Sequence, residues 1–263
     1  MFRTIELPDE RFVVDRLVPI TVKSRALRRR VDMTLWSPES ARGRSDLPIV
    51  ILLHGVYGSH WAWALKGGAH RTAARMMAAG DLPPCILAMP SDGLAGDGSG
   101  YVPGAAGNAE AWIVREVPIA VEAAFDEAGP KSPIFIAGLS MGGFGALRLG
   151  AKYPAIFRAM SGHSSATHLE QFAGVIEEPL ESLGVAKEDQ CVFSALAANR
   201  EKLPPFRFDC GTSDSLFPAN AELHRKLLEE GIQHEFGEFN GAHDWVYWET
   251  HLVDTLRFFA ARM

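Results

Sequence analysis

Ser140 lies at the centre of a glycine-rich pentapeptide, Gly138-Leu-Ser-Met-Gly142, which has the pattern Gly-x-Ser-x-Gly. A short apolar run from Ile134 precedes it and apolar residues at helical spacing follow it, which predicts a buried strand that turns directly into a helix. Such a turn forces its central residue into a strained conformation and needs glycine where strand and helix approach closely. The Ser140 hydroxyl should therefore project from the turn beside a helix N-terminus, where a nucleophile would be placed.

A serine hydroxyl is a weak nucleophile at neutral pH, so it needs a base to take its proton and an acid to orient that base. Asp214 is the predicted acid, because it follows the strand pattern of residues 205–210 and Gly211 allows a tight turn there. His243 is the predicted base, in a loop between the last strand pattern and the last helix pattern. The order serine, acid, histidine is that of a catalytic triad on a parallel sheet.

Other acids and histidines in the second half of the chain fit these roles less well. They are Asp189, Asp209, His163, His168, His234 and His251. Asp189 falls in a predicted insertion and Asp209 within a strand. His234 falls inside a strand and His251 inside a helix, where structural roles are expected. His163 and His168 follow another strand end and could line the pocket, but they precede the acid. For His243 the alternative interpretation is a helix-capping residue.

Acyl transfer also creates a negatively charged oxygen, which two backbone N–H groups must stabilise. One should belong to Met141, directly after the nucleophile. The other should come from the glycine-punctuated loop that begins at His54, after an early central strand. We predict the N–H of Val56 for this role, with that of Tyr57 as the next candidate.

Several aromatic residues lie close to these loops along the chain. They predict an apolar pocket for an acyl or aryl group, lined by Tyr57, Trp61, Tyr101 and Trp245. Ordinary packing in the core or on the surface is the alternative for each of them. The loop of residues 91–107 is rich in glycine and long enough to be a candidate wall of the same pocket.

The elements that would position these residues alternate between strands and helices. Continuous apolar runs at 48–53, 84–89 and 134–139 are typical of strands buried on both faces, whereas 11–22 and 31–36 alternate in polarity like antiparallel edge strands. This order predicts an α/β fold with a mostly parallel central sheet and helices on both faces. We expect one domain over residues 1–263, with a small insertion or partial lid at about 164–203 above the strand ends.

Composition narrows the function further. The net charge of −6 argues against a nucleic-acid or anionic-membrane partner, and there is no apolar span of membrane length or signal peptide, which favours a cytoplasmic protein. The three cysteines are odd in number and scattered, which favours reduced thiols and shows no metal-ligand spacing. We therefore expect no cofactor and no metal. The sequence does not predict the oligomeric state.

Four motifs together carry a family resemblance: His54-Gly55, Gly138-Leu-Ser-Met-Gly-Gly-Phe-Gly-Ala146, Cys210-Gly-Thr-Ser-Asp214 and Gly241-Ala-His-Asp-Trp245. The chain resembles the "putative esterase" branch of the α/β-hydrolase superfamily from about residue 11 onward. That branch includes S-formylglutathione hydrolases, tributyrin-type esterases, feruloyl and acetyl-xylan esterases, and mycolyltransferases. The resemblance implies an α/β-hydrolase fold, the triad Ser140, Asp214 and His243, and the donors Val56 and Met141.

The expected activity is hydrolysis of a small-molecule carboxylic ester of a small, aryl or sugar alcohol through an acyl-enzyme on Ser140. A thioesterase or an acyltransferase with the same site is the first alternative, and a non-catalytic hydrolase-fold binding module is the second. Two departures from the family bear on the substrate. The loop at 91–107 lacks the aromatic-rich pattern of tributyrin-type members, and Phe144 stands where S-formylglutathione hydrolases usually carry histidine.

Overall fold

The computed structural model of the protein describes residues 2–263. Within this range the strands are β1 (Ile5–Glu6), β2 (Leu17–Lys23), β3 (Arg30–Trp36), β4 (Ile49–Leu53), β5 (Ile86–Pro90), β6 (Pro103–Gly104), β7 (Gly107–Asn108), β8 (Ile134–Leu139), β9 (Phe157–His163), β10 (Phe206–Gly211) and β11 (Glu235–Phe239). Strands β6 and β7 form a small hairpin sheet of their own. The other nine form one sheet in the order β1-β2-β3-β5-β4-β8-β9-β10-β11.

The strands β5, β4, β8, β9, β10 and β11 run parallel to one another, whereas β1, β2 and β3 pair antiparallel at one edge. Strands β4 and β5 are buried at every residue, as expected for strands covered by helices on both faces. The predicted α/β-hydrolase architecture is therefore confirmed.

The helices lie on both faces of the sheet. They are α1 (Ala62–Leu65), α2 (Ala69–Ala79), α3 (Ala109–Ala111), α4 (Val117–Ala124), α5 (Met141–Lys152), α6 (Val192–Ala198), α7 (Phe217–Glu229) and α8 (Trp245–Ala260). Apolar side chains of α1, α2 and α8 form the core on one face, and those of α3 to α7 form the larger core on the other. No helix among residues 2–263 is both long and apolar enough to cross a membrane.

Strand register brings the functional loops to one edge of the sheet. Leu53 at the end of β4 pairs with Gly138 of β8, and Asp209 of β10 pairs with His163 at the end of β9. Because these strands are parallel, the segments that follow them emerge side by side. The loop after His54, the turn at Ser140 and the loop of Asp214 are therefore neighbours.

Two predicted elements differ from those observed. The strand expected over residues 11–22 begins only at Leu17, because Glu10–Phe12 forms a 3-10 turn and the chain then bends through Asp15 and Arg16, which both have positive φ. The spacing of Trp112, Val117, Val121 and Phe125 predicts one helix over 108–128, but a π-helical segment, Trp112–Glu116, separates α3 from α4. Pro118 lies in the first turn of α4, where its missing N–H costs nothing.

The segment between β9 and β10, predicted as an insertion, consists of α6 and short 3-10 turns. The turns are Leu169–Phe172, Leu180–Leu183, Lys187–Asp189 and Arg200–Lys202. Helix α6 packs against α5, and Asp189 forms ion pairs with Arg148 at 2.8 Å and with Lys152 at 2.6 Å. These contacts support the proposal that the segment and the sheet belong to one domain.

Candidate active site

The turn at Ser140 has the strained geometry that its glycines predict. Ser140 has φ 56° and ψ −119°, a conformation that residues other than glycine rarely adopt. A Cβ on Gly138 would lie 2.2 Å from the carbonyl oxygen of Gly142, and a Cβ on Gly142 would lie 2.2 Å from that of Leu53. Both overlaps are with backbone, so only glycine lets β8, α5 and β4 approach this closely.

Ser140, His243 and Asp214 form a continuous chain of hydrogen bonds. The His243 Nε2 lies 3.0 Å from the Ser140 Oγ, and the His243 Nδ1 lies 2.7 Å from Oδ2 of Asp214. The other carboxylate oxygen of Asp214 accepts the Leu216 N–H at 2.8 Å. The Asp214 side chain is fully buried, whereas 34% of the His243 side chain is exposed, so the imidazole is open to a ligand from outside.

Charge decides the direction of these hydrogen bonds. Burial raises the pKa of Asp214, but hydrogen bonds from His243 and from the Leu216 N–H outweigh it, so the pKa lies below the usual 3.8. An ionised carboxylate can only accept, hence the Nδ1 of His243 must carry a proton. The Nε2 of a neutral imidazole is then an acceptor that can receive the Ser140 proton.

The competing acids and histidines are engaged elsewhere. The Nδ1 of His163 lies 3.1 Å from Asp209 Oδ1, and both side chains are completely buried. His168 contacts Cys191 through its Nε2 at 3.3 Å. His163 and His168 could have lined the pocket by their place after a strand end, but neither of them lines the cavity at Ser140. His163 belongs to the end of β9, and its ring is directed into the protein towards Asp209.

The loop after β4 is shaped by its own polar groups. The carbonyl oxygen of Gly55 accepts the His54 Nδ1–H at 2.7 Å and the Gly58 N–H at 3.1 Å. The Tyr57 N–H donates to the Asp97 carbonyl at 3.0 Å, which removes it as an anion donor. Among the described residues, no acceptor is found for the Val56 N–H.

A cavity of about 560 Å³ opens at Ser140 and His243. Of the four aromatic residues predicted to line it, Tyr57, Trp61 and Trp245 do so. Tyr57 and Trp61 are 66% and 38% exposed, and Trp245 packs edge-on against Trp63 at 5.7 Å. The three rings therefore give the cavity an aromatic lining from the loop after β4 and the start of α8.

Tyr101 does not line this cavity, and its prediction as a pocket residue is wrong. Its side chain is fully buried, its hydroxyl donates to the His54 carbonyl at 3.1 Å, and its ring fills the space that Gly145 leaves beside α5. The loop of residues 91–107 therefore supports the site from below and does not form its wall. Its position is set by contacts with Gly145 and with the His54 carbonyl, which are distant in the chain and not visible in residue type alone.

Other residues of the cavity were not predicted as pocket residues. A second wall comes from the segment after β9 and includes Ala166, Gln171, Phe172 and Val175. The Tyr57 hydroxyl donates to the Val175 carbonyl and so joins the two walls. The expectation of an insertion over the strand ends was the one signal that pointed to this wall. No group of three or more potential metal-ligating side chains is found within residues 2–263.

The model of the family described as "Putative esterase" matches residues 24–259. The chain belongs to this esterase family. An acetyl esterase of Caldicellulosiruptor saccharolyticus is 31% identical over 141 residues, which cover 47% of this chain and 53% of that protein. The match thus spans about half the length of this relative.

Solved structures of similar fold extend over nearly the whole chain. A ferulic acid esterase superposes with a TM-score of 0.80 at 24% identity, covering 94% of this chain and 97% of that one. An S-formylglutathione hydrolase from Agrobacterium tumefaciens superposes with a TM-score of 0.78 at 18% identity, covering 99% of both chains. At this level of identity the structural similarity establishes only the fold of the present chain. The chemistry of this esterase has to be argued from its own residues.

Proposed function

We propose that this protein hydrolyses carboxylic esters, with Ser140 as nucleophile, His243 as general base and acid, and Asp214 as the group that orients His243. The observation that carries the proposal is the chain of hydrogen bonds from the Asp214 carboxylate through His243 to the Ser140 hydroxyl. Membership of the esterase family supports the same chemistry.

The reaction would proceed in two steps that share one tetrahedral geometry. The Ser140 Oγ attacks the ester carbonyl while its proton passes to the His243 Nε2, and the same proton then moves to the leaving alcohol as the acyl-enzyme forms. In the second step water attacks the acyl carbonyl, gives a proton to His243 and releases the acid, after which Ser140 regains that proton. Asp214 stabilises the imidazolium in both steps and keeps its own charge.

The backbone N–H groups of Val56 and Met141 would bind the oxyanion. Met141 is the first residue of α5, so its N–H has no partner within the helix and lies at the positive end of the helix dipole. In a trans peptide the C=O and the following N–H point in opposite directions. The Gly55 carbonyl is held towards His54 and Gly58, and the Val56 N–H consequently points away from them.

The cavity supports esters of small, aryl or sugar alcohols as substrates. Aromatic rings on one wall and Phe172 with Val175 on the other offer faces for a flat or apolar group. The similar proteins named above include an acetyl esterase, a ferulic acid esterase and an S-formylglutathione hydrolase, so the acyl group and the leaving atom both need to be varied in the test.

The test compares wild type with Ser140→Ala on acetyl, butyryl and feruloyl esters and on the matching thioesters. Ser140→Ala should lower kcat by at least about 10³-fold on every substrate and abolish labelling by a fluorophosphonate probe. Ser215→Ala, which removes another hydroxyl from the same cavity, is the matched control and should keep both activities. Wild-type rates for the Ser140→Ala protein would refute the proposal. A wild-type preference for thioesters would instead assign the site to sulfur esters.

A further inference from the structure

A second histidine–aspartate pair lies buried beneath the candidate triad, within a larger polar cluster. Asp209 accepts the His163 Nδ1–H at 3.1 Å and the Tyr247 hydroxyl at 2.9 Å, and its Oδ2 lies 2.7 Å from the Arg207 guanidinium. The Thr255 hydroxyl lies 2.9 Å from both the His163 Nε2 and the Arg207 guanidinium. The reaction proposed above uses none of these side chains.

The cluster encloses a charged carboxylate in the protein interior. The Asp209 side chain is completely buried, as is that of His163. Burial raises the pKa of Asp209, but the neighbouring His163, Arg207 and Tyr247 outweigh it and hold the pKa below its usual value. A buried carboxylate of this kind is stable only while every donor stays in place. Each partner is therefore held in a narrow range of positions.

Each part of the cluster is tied to a segment that carries a triad residue. The backbone carbonyl of His163 accepts the Ser140 N–H at 2.9 Å, and Asp209 lies on the strand that leads to Asp214. Tyr247 lies in the first turn of α8, directly after the loop that carries His243.

The Tyr247 ring also packs against this loop itself. A Cβ on Gly241 would lie only 2.5 Å from the Tyr247 Cδ2, so ring and loop backbone are in direct contact. The Gly241 carbonyl in turn accepts the Ser213 N–H at 2.9 Å, next to Asp214. The loop is therefore enclosed between the Tyr247 ring and the segment that carries the acid.

We propose that Tyr247, anchored through its hydroxyl to the buried Asp209, is a positioning residue that sets the place of the His243 loop relative to Ser140. The role rests on the proposed function, since it serves the same triad. Without the hydroxyl the ring of residue 247 still fills its space but loses its hydrogen bond to Asp209. The ring, and with it the His243 loop, can then shift. Because a displacement of about 1 Å can cost about 10²-fold in rate, even a small shift would be measurable.

Tyr247→Phe is the test, and Tyr153→Phe is its matched control. Tyr153 also donates its hydroxyl to an ion-paired carboxylate, that of Glu110 at 2.6 Å, but at the C-terminal end of α5, whereas Ser140 lies at the N-terminal end. We expect Tyr247→Phe to lower kcat for an acetyl ester about 10- to 100-fold with KM changed less than about twofold. Tyr153→Phe should retain the wild-type kcat, although its melting temperature should fall by about as much as that of Tyr247→Phe.

A second readout does not depend on any substrate. The His243 Nδ1–H should give a downfield proton resonance, identified by its absence in His243→Ala. This resonance should shift or broaden in Tyr247→Phe and stay unchanged in Tyr153→Phe. The resonance separates the proposed ester hydrolysis from the proposed role of Tyr247. If the protein hydrolyses no ester, the proposed function is refuted, but the resonance still reports on the position of His243.

Two results would overturn the positioning role. One is a Tyr247→Phe protein with wild-type kcat and an unchanged His243 resonance, and the other is an equal loss of kcat in both tyrosine variants. If Tyr247→Phe does not fold, Gly241→Ala replaces it, since the added Cβ presses on the Tyr247 ring from the loop side. An unchanged resonance and kcat in Gly241→Ala would refute the role as well.

Discussion

Asp214→Asn is the sharpest perturbation of the proposed triad, because it removes a charge while keeping the shape of the side chain. One carboxylate oxygen accepts the Leu216 N–H at 2.8 Å, and the other accepts the His243 Nδ1–H at 2.7 Å. An amide has only one oxygen. If that oxygen keeps the Leu216 N–H, the amide NH₂ faces His243 and must donate to its Nδ1.

The ring proton of His243 then moves to Nε2, which lies 3.0 Å from the Ser140 Oγ. A protonated Nε2 cannot accept the serine proton, so the base is lost although no heavy atom has moved. The opposite amide orientation sets two donors against each other at Leu216, which costs about 1–3 kcal/mol in a buried position. This orientation is therefore the minor one, and it also lacks the charge that stabilises the imidazolium, so we expect kcat to fall by about 10⁴-fold, as it does in triad enzymes whose acid is replaced by its amide. This corresponds to about 5 kcal/mol in the activation free energy.

The assay measures kcat and KM on p-nitrophenyl acetate together with the melting temperature. Asp254→Asn is the matched control, since Asp254 also accepts a histidine Nδ1, that of His251 at 2.9 Å, on the outer part of α8. It should change kcat less than about twofold. If Asp214→Asn keeps kcat within tenfold of wild type and is folded, then Asp214 does not set the tautomer of His243 and the proposed triad is wrong.

Three further variants test the oxyanion donor, the turn and the acid stability. Val56→Pro removes the proposed N–H donor and should lower kcat by about 10²- to 10³-fold, whereas Val56→Ala keeps that N–H and the activity; equal activity of the two would exclude this donor. Gly142→Ala places a Cβ 2.2 Å from the Leu53 carbonyl oxygen, so we expect it to lower the free energy of unfolding by about 3 kcal/mol. Urea titrations measure this loss, and an unchanged unfolding midpoint would contradict it. Burial raises the pKa of Glu110, but Arg148 and the hydrogen bonds around it outweigh this and hold the pKa below 4.5. Its stabilising contribution is thus present above pH 4.5 and lost as the pH falls through the lower folded value, so the melting temperature of Glu110→Gln should depend less on pH in this acid range than that of wild type.

The amino-acid sequence by itself determined the nucleophile turn and the order of the three candidate residues. Gly138 is required by its close contact with Gly142 inside one strand-to-helix unit, and such a local constraint is visible in residue type and spacing, whereas Gly142 approaches the Leu53 carbonyl of the neighbouring strand β4. The parallel sheet followed from continuous apolar runs, because strands covered on both faces have no polar side. Asp214 and His243 could be chosen because each follows a strand, and the ends of parallel strands share one edge.

Only the tertiary structure decided how groups distant in the chain are paired. Tyr101 and Tyr57 are both tyrosines with positive φ in glycine-rich loops, yet Tyr101 packs against α5 and Tyr57 lines the cavity. They differ in contacts that residue type does not encode, because the Tyr101 hydroxyl donates to the His54 carbonyl and the Tyr57 hydroxyl to the Val175 carbonyl. Two aspartates follow one another on the same strand and its loop, and only the fold shows that Asp209 pairs with His163 while Asp214 pairs with His243. The physical reason is that pairing depends on strand register and on which face of the pleat each side chain leaves, and both are set by contacts between segments far apart in the chain.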